Sequence, residues 1–167
     1  MFIGNALAIE FTVMPDVLIV CMANICRSPM ASSVARKLTA DASLSHQFKF
    51  DSAGTHAHHL GEWPDRRAEF ALSSRGYELV RTRSRRVSAK DFEEFDLILA
   101  MDASNLTELR RLCPPSHLAK LRLLLDFAEG LKVTEIPDPY FGNAEGFERV
   151  LDLCEAGARG LIKHYTL

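Results

Sequence analysis

Cys21 and Arg27 lie within the run C-M-A-N-I-C-R-S, which closes at Ser28, and five residues separate them. A thiol and a guanidinium at that spacing can share one tetrahedral anion. The intervening chain is long enough to encircle a phosphate, with the sulfur beneath the phosphorus and the guanidinium forked onto two equatorial oxygens. Met22, Ala23, Asn24, Ile25 and Cys26 would then turn backbone N–H groups toward the anion. Helix N-termini and neighbouring cations lower a thiol's pKa from about 8.5 to about 3.5–7.5. Cys21 is therefore expected to react as a thiolate, with the Ser28 hydroxyl donating to its sulfur. Asn24 suits a tight loop, because it tolerates left-handed backbone and can fix neighbouring groups through its amide.

Phosphoryl transfer to a thiolate also needs an acid for the departing oxygen, and the same group can later activate water. Asp138 is the candidate. Pro139 disfavours helix at Asp138 and holds it in extended chain. Tyr140 and Phe141 follow and could wall a slot for an aromatic ring.

These residues need elements to carry them. Val17–Val20 is a short aliphatic run ending at Cys21, as expected of a buried parallel strand. Ser28 reads as a helix N-cap with Pro29 at the first helical position, followed by Met30, Val34 and Leu38 on one face. Phe48 and Phe50 predict a second strand that ends in a turn at Ser52-Ala53-Gly54. A helix is expected from Asp65 to Gly76, and another through Leu106 and Leu109 that stops before Pro114. Between and beyond them, Phe95–Met101 and Leu121–Leu125 read as buried strands. Phe147, Val150, Leu151, Cys154, Ala158 and Leu161 trace one face of a last helix. Strands alternating with helices predict one α/β domain with a parallel sheet covered on both faces.

Composition narrows the function. The chain has 167 residues, 47% of them apolar and 25% charged, enough for one domain with a full core. A net charge of −2 argues against a nucleic-acid binder. No apolar run approaches a membrane span. Asn5 and Glu10 interrupt the first dozen residues and no basic segment precedes them, so a signal peptide is not expected. The four cysteines then read as cytoplasmic thiols and not as a disulfide framework.

The stretch V-C-M-A-N-I-C-R-S-P-M-A (Val20–Ala31) resembles the phosphate-binding signature of low-molecular-weight protein tyrosine phosphatases. S-A-G-T (Ser52–Thr55), P-D-x-R-A (Pro64–Ala68), D-L-I-L-A-M-D (Asp96–Asp102) and D-P-Y-F-G (Asp138–Gly142) follow in that family's order. The resemblance implies a four-stranded parallel sheet of flavodoxin-like order. It implies hydrolysis of phosphotyrosine in protein substrates through a phosphocysteine on Cys21, with Arg27 binding phosphate and Asp138 as general acid and then base. It implies no metal and no organic cofactor, and it supports a protective Cys21–Cys26 disulfide under oxidation, with a purely structural Cys26 as the alternative. Oligomeric state is left open.

The chain also departs from the family pattern. Ala23 replaces a usual Gly, tolerable where φ is negative. His58 stands where many members carry an aromatic residue that packs on the substrate ring, with Trp63 a few residues later. Thr82 stands where many have a His that supports the phosphate loop. Residues 1–14 have no counterpart and read as an extension, either disordered or the product of an upstream start codon, ahead of a domain over 15–167.

Other readings carry less weight. His56, His58 and His59 lack a further ligand at a spacing recognised for zinc and read instead as a loop at the active-site rim. Arg81, Arg83, Arg85 and Arg86 read as a solvated face that could steer acidic phosphopeptides, and Cys113 and Cys154 as packed thiols. A thiol-dependent arsenate reductase would need relay cysteines, and the segment from Gly76 to Asp91 has none. A protein-arginine phosphatase tends to carry Thr where Ile25 stands here. A silent phosphopeptide-binding module would have no need of Asp138.

Overall fold

The computed structural model describes residues 13–167. The expectation of an N-terminal extension therefore falls, but for its last two residues, outside the described part. Met14 is partly buried against the core.

Four strands, β1 (Asp16–Cys21), β2 (Lys49–Gly54), β3 (Leu97–Ala100) and β4 (Leu121–Leu123), form an all-parallel sheet in the order β2-β1-β3-β4. Five helices accompany them: α1 (Arg27–Asp41), α2 (Arg66–Ser74), α3 (Ala89–Glu94), α4 (Ala103–Leu112) and α5 (Ala144–Thr166). The single-domain α/β architecture and the flavodoxin-like order agree with the sequence reading. Among the described residues, no helix is long and apolar enough to cross a membrane.

The strand period of two divides β1 between two cores. Val17, Ile19 and Cys21 face α1 and α5, joining Met30, Val34, Phe147, Leu151 and Leu161. Leu18 and Val20 face the other way, toward Phe92, Leu106 and Leu109. Each fully buried Leu, Ile or Phe contributes about 1.5–3 kcal/mol, so both faces hold β1 firmly. Its central place matters for function. Cys21 ends β1 opposite Gly54, with Ala100 beside Val20 on the other neighbour. The carboxyl ends of three strands thus open onto one crevice, where ligands bind in open α/β sheets.

Several boundaries differ from the sequence reading. α1 begins at Arg27 with Cys26 in the N-cap position, so Ser28 is not the cap and Pro29 is not the first helical residue. Ser28 is fully buried and its hydroxyl is used beneath the loop. β2 runs through Ser52, Ala53 and Gly54 instead of turning there, because Cys21 and Gly54 are still in register. β3 is limited to Leu97–Ala100. β4 gives way at Leu124 to a 3-10 turn reaching Phe127, under which α5 packs closely. A Cβ added at Gly160 would overlap the Phe127 carbonyl oxygen, so only Gly allows that approach. The short α3 had no expectation attached, since six residues carry too little periodicity to read.

Candidate active site

The loop from Cys21 to Arg27 is held from outside by its carbonyls. Cys21 O accepts from Thr55 N and Met22 O from His56 N, each at 2.9 Å. Ile25 O accepts from Asp65 N at 2.8 Å, and Cys26 O accepts from Met30 N at 3.1 Å. Ala23 O accepts from the Ser84 hydroxyl at 2.8 Å. A trans peptide points its N–H opposite its C=O. Five outward carbonyls therefore turn the following N–H groups inward, around one centre. The N-terminus of α1 adds to this set, for Cys26 makes no capping hydrogen bond that would occupy its free N–H groups.

Cys21 Sγ sits at the foot of this ring, 3% exposed, and receives the Asn24 N–H at 3.3 Å. Ser28 Oγ lies 3.1 Å from the same sulfur. That oxygen already accepts from Asn24 Nδ2 at 2.9 Å, and its single proton has the sulfur at 3.1 Å and the Ala53 carbonyl at 3.4 Å as acceptors. Asn24 takes the left-handed conformation, at φ 58°, that its residue type tolerates. Its side chain is fully used: Nδ2 donates to Ser28 and Ser52, and Oδ1 accepts from Arg85 N. Ala23 is not among the described residues of positive φ, so its methyl group fits without strain. Gly54 is the residue that must be small. A Cβ there would lie 2.7 Å from Met22 O and 3.2 Å from Asn24 N.

Arg27 is 2% exposed and held by three acceptors. Nη1 donates to Asp102 Oδ2 at 2.5 Å and to Ile136 O at 3.0 Å, while Nη2 reaches Asp138 Oδ2 at 3.5 Å. Burial opposes the guanidinium charge, but Cys21, Asp102 and Asp138 outweigh it and hold the pKa above the ordinary arginine value. Asp102 also caps α4 by accepting from Asn105 N, which fixes its orientation toward Arg27. Its part was not foreseen, although an aspartate at the C-terminal end of β3 with a helix start beyond was the available signal.

Above the loop lies a cleft of about 210 Å³, lined by Cys21, Met22, Ala23, Ile25, Cys26, Arg27, His58, His59, Asp138, Tyr140 and Phe141. All were expected at the site from the sequence, His59 only as part of a loop at its rim. Asn24 and Ser28, also expected there, lie beneath the loop and act on it from below. Asp138 is held in place by the Tyr140 N–H, which donates to Oδ1 at 3.1 Å. Arg67 bonds the Tyr140 carbonyl and stacks over its ring at 5.4 Å. Opposite stands the 56–62 segment, where His59 meets the Tyr140 ring at 5.7 Å and bonds Glu62 through Nδ1. Phe141 is 97% exposed.

Other expected residues lie elsewhere. Trp63 is outside the cleft, with Arg83 stacked on it at 4.2 Å. Thr82, which stands in place of a supporting His, is exposed, and the loop is held nearby by Ser84 and the Arg85 backbone instead. Arg85 is no solvated cation. It is half-buried and paired with Asp51 and Asp91. Burial pushes the Cys26, Cys113 and Cys154 thiols up, so each is held neutral. His56 and His58 stack at 5.5 Å, and among the described residues no three metal-ligating side chains converge.

Fold and site together define a class: a parallel α/β domain whose central strand ends in a cysteine ringed by inward N–H groups and a buried arginine. Known proteins share this arrangement. Residues 16–166 match the family model of low molecular weight phosphotyrosine protein phosphatases. A putative low molecular weight protein-tyrosine-phosphatase of Synechocystis is 41% identical, over 87% of this chain and 92% of its own. A crystal structure of an Entamoeba histolytica protein tyrosine phosphatase superposes with a TM-score of 0.86 at 41% identity, covering 89% of this chain and 94% of that one. A Drosophila arginine phosphatase superposes with a TM-score of 0.85 at 33% identity, covering 91% and 98%. The chain belongs to the low molecular weight phosphotyrosine protein phosphatase family.

Proposed function

We propose that this protein hydrolyses phosphotyrosine in protein substrates, with Cys21 as nucleophile, Arg27 as phosphate binder and Asp138 as general acid and then base. The observation that carries this reading is the ring of five outward-bonded carbonyls around Cys21 Sγ. It leaves inward N–H groups where the equatorial oxygens of a phosphoryl group would develop charge. In the first step the sulfur attacks phosphorus, the P–O bond to the phenol breaks, and the Asp138 proton passes to the departing oxygen. In the second, Asp138 carboxylate takes a proton from water, the water oxygen bonds phosphorus, and the S–P bond breaks. Inorganic phosphate leaves and the Cys21 thiolate is restored. Asp102 contributes by keeping Arg27 charged and aimed. The chemistry needs no cofactor. Four free cysteines support work in the cytoplasm, where thiols stay reduced.

The branched Ile25 side chain in the cleft favours a flat phenyl ring over a phosphoguanidinium. Phosphotyrosine peptide, phosphoarginine and arsenate with a thiol reductant, assayed side by side, test the proposal. Release of phosphate from the tyrosine peptide is the expected result. Preference for phosphoarginine, reduction of arsenate, or binding without turnover would each replace it with another function.

A further inference from the structure

Of the five outward carbonyls in the phosphate loop, four are held by backbone N–H donors and one, Ala23 O, by a side chain. The donor is Ser84, 3% exposed, whose backbone is fixed on both sides: its N–H donates to Glu62 O and its carbonyl accepts from Gly61 N, each at 2.8 Å. The next residue, Arg85, donates its N–H to Asn24 Oδ1 at 3.0 Å, and its side chain is clamped by Asp51 and Asp91. The Ser84 hydroxyl is therefore presented from a rigid segment. What it holds is the peptide unit whose other end, the Asn24 N–H, donates to Cys21 Sγ. Asn24 is also the left-handed residue of the loop, and an L-residue holds that conformation against a steric cost that turning over the 23–24 peptide would relieve.

We infer that Ser84 is a positioning residue: by anchoring the Ala23 carbonyl it locks the 23–24 peptide against flipping and so aims the Asn24 N–H at the sulfur. This extends the phosphatase reading above, and the same hydroxyl ties the phosphate loop to the 61–62 end of the rim. Nothing in the local sequence marks Ser84, because its partner is sixty-one residues away.

The test is the rate of Cys21 alkylation by iodoacetamide against pH, which needs no substrate and so stands apart from whether the enzyme prefers phosphotyrosine. Loss of one neutral hydrogen bond corresponds to about two- to tenfold in an equilibrium. Ser84→Ala should slow alkylation near pH 6 by about that factor, with the rates converging at high pH, and should lower kcat on p-nitrophenyl phosphate similarly. Ser84→Thr, which keeps the hydroxyl, should restore the profile. If Ser84→Ala lowers Tm while leaving the alkylation profile in place, Ser84 is only structural and the inference fails. In the unmutated protein, slow hydrogen exchange at the Asn24 amide is expected, and exchange at the rate of a free amide would overturn the inference without any variant.

Discussion

The phosphate loop and the rim above it are built on opposite terms. From Cys21 to Ser28 every residue except Met22 and Ala23 is buried, and the carbonyls of five residues are bonded to fixed donors. The rim, from His56 to Trp63 and from Asp138 to Asn143, is largely exposed, and its side chains pack mostly ring on ring or cation on ring, with scattered hydrogen bonds. In the proposed reaction the loop holds developing charge, and donors there help only if they need no rearrangement. The rim meets a side chain whose surroundings vary, and looser contacts can accommodate that. Changes in the loop should therefore affect turnover, and changes in the rim, the proposed acid Asp138 apart, should affect binding.

The largest effect is expected at Cys21. Cys21→Ser should abolish turnover while vanadate still binds with measurable affinity, since the N–H ring and Arg27 remain. Appreciable activity in that variant, or complete loss of vanadate binding, would remove the assigned division of labour. Asp138→Asn comes next. General acid catalysis contributes roughly 10²–10⁴-fold, so phosphorylation of Cys21 by phosphotyrosine should slow by about that factor, and by far less with p-nitrophenyl phosphate, whose leaving group hardly needs a proton. An equal loss on both substrates would mean that Asp138 only positions the substrate.

Gly54→Ala probes the loop from behind, with no change to any reacting group. Its Cβ would press on Met22 O, and overpacking of this kind costs about 1–3 kcal/mol. A lowered Tm together with reduced kcat is expected, and wild-type kcat would show that the loop tolerates displacement. Asp91→Asn tests the clamp behind Arg85. Burial alone would raise the Asp91 carboxyl, but hydrogen bonds from Arg85 and Ser88 outweigh it and hold the pKa below the ordinary value. The unfolded chain, with carboxylates near 3.9, then binds the proton more readily. The stabilisation is present above that pH and is lost as pH falls through the lower folded value. The variant should be less stable by roughly 1.5–3 kcal/mol at neutral pH and its acid unfolding shallower; an unchanged acid profile would count against the clamp. The smallest effect belongs to the rim. His58→Ala should raise KM for phosphotyrosine peptides by about two- to tenfold, in keeping with one lost ring contact, and leave kcat nearly unchanged. A fall in kcat without a change in KM would reverse the contrast between rim and loop.

Much of this protein was legible in its sequence because the information is local. An aliphatic run followed by C-M-A-N-I-C-R-S specifies strand, loop and helix start within a dozen residues, and the need for left-handed backbone is met where Asn24 stands. Asp138 was legible for a similar reason, since Pro139 restricts its backbone. The periodic α5 could be read from its apolar face alone. Tertiary structure decided what depends on residues far apart in the chain. Ser28 reads as a cap and serves the sulfur, because the helix starts two residues earlier than that reading, with Cys26 at the cap. Asp102 stands in the sequence only as the end of D-L-I-L-A-M-D, yet it caps α4 and anchors Arg27, seventy-five residues before it. Arg85 reads as one of a run of surface cations, yet Asp51 and Asp91 draw it inward. Thr82 reads as a departure that leaves the loop without its usual support, but Ser84, two residues on, supplies one, because the chain approaches the loop with Ser84 facing Ala23. A local pattern fixes backbone conformation, but a hydrogen-bond partner is chosen by where the sheet brings the strand ends together.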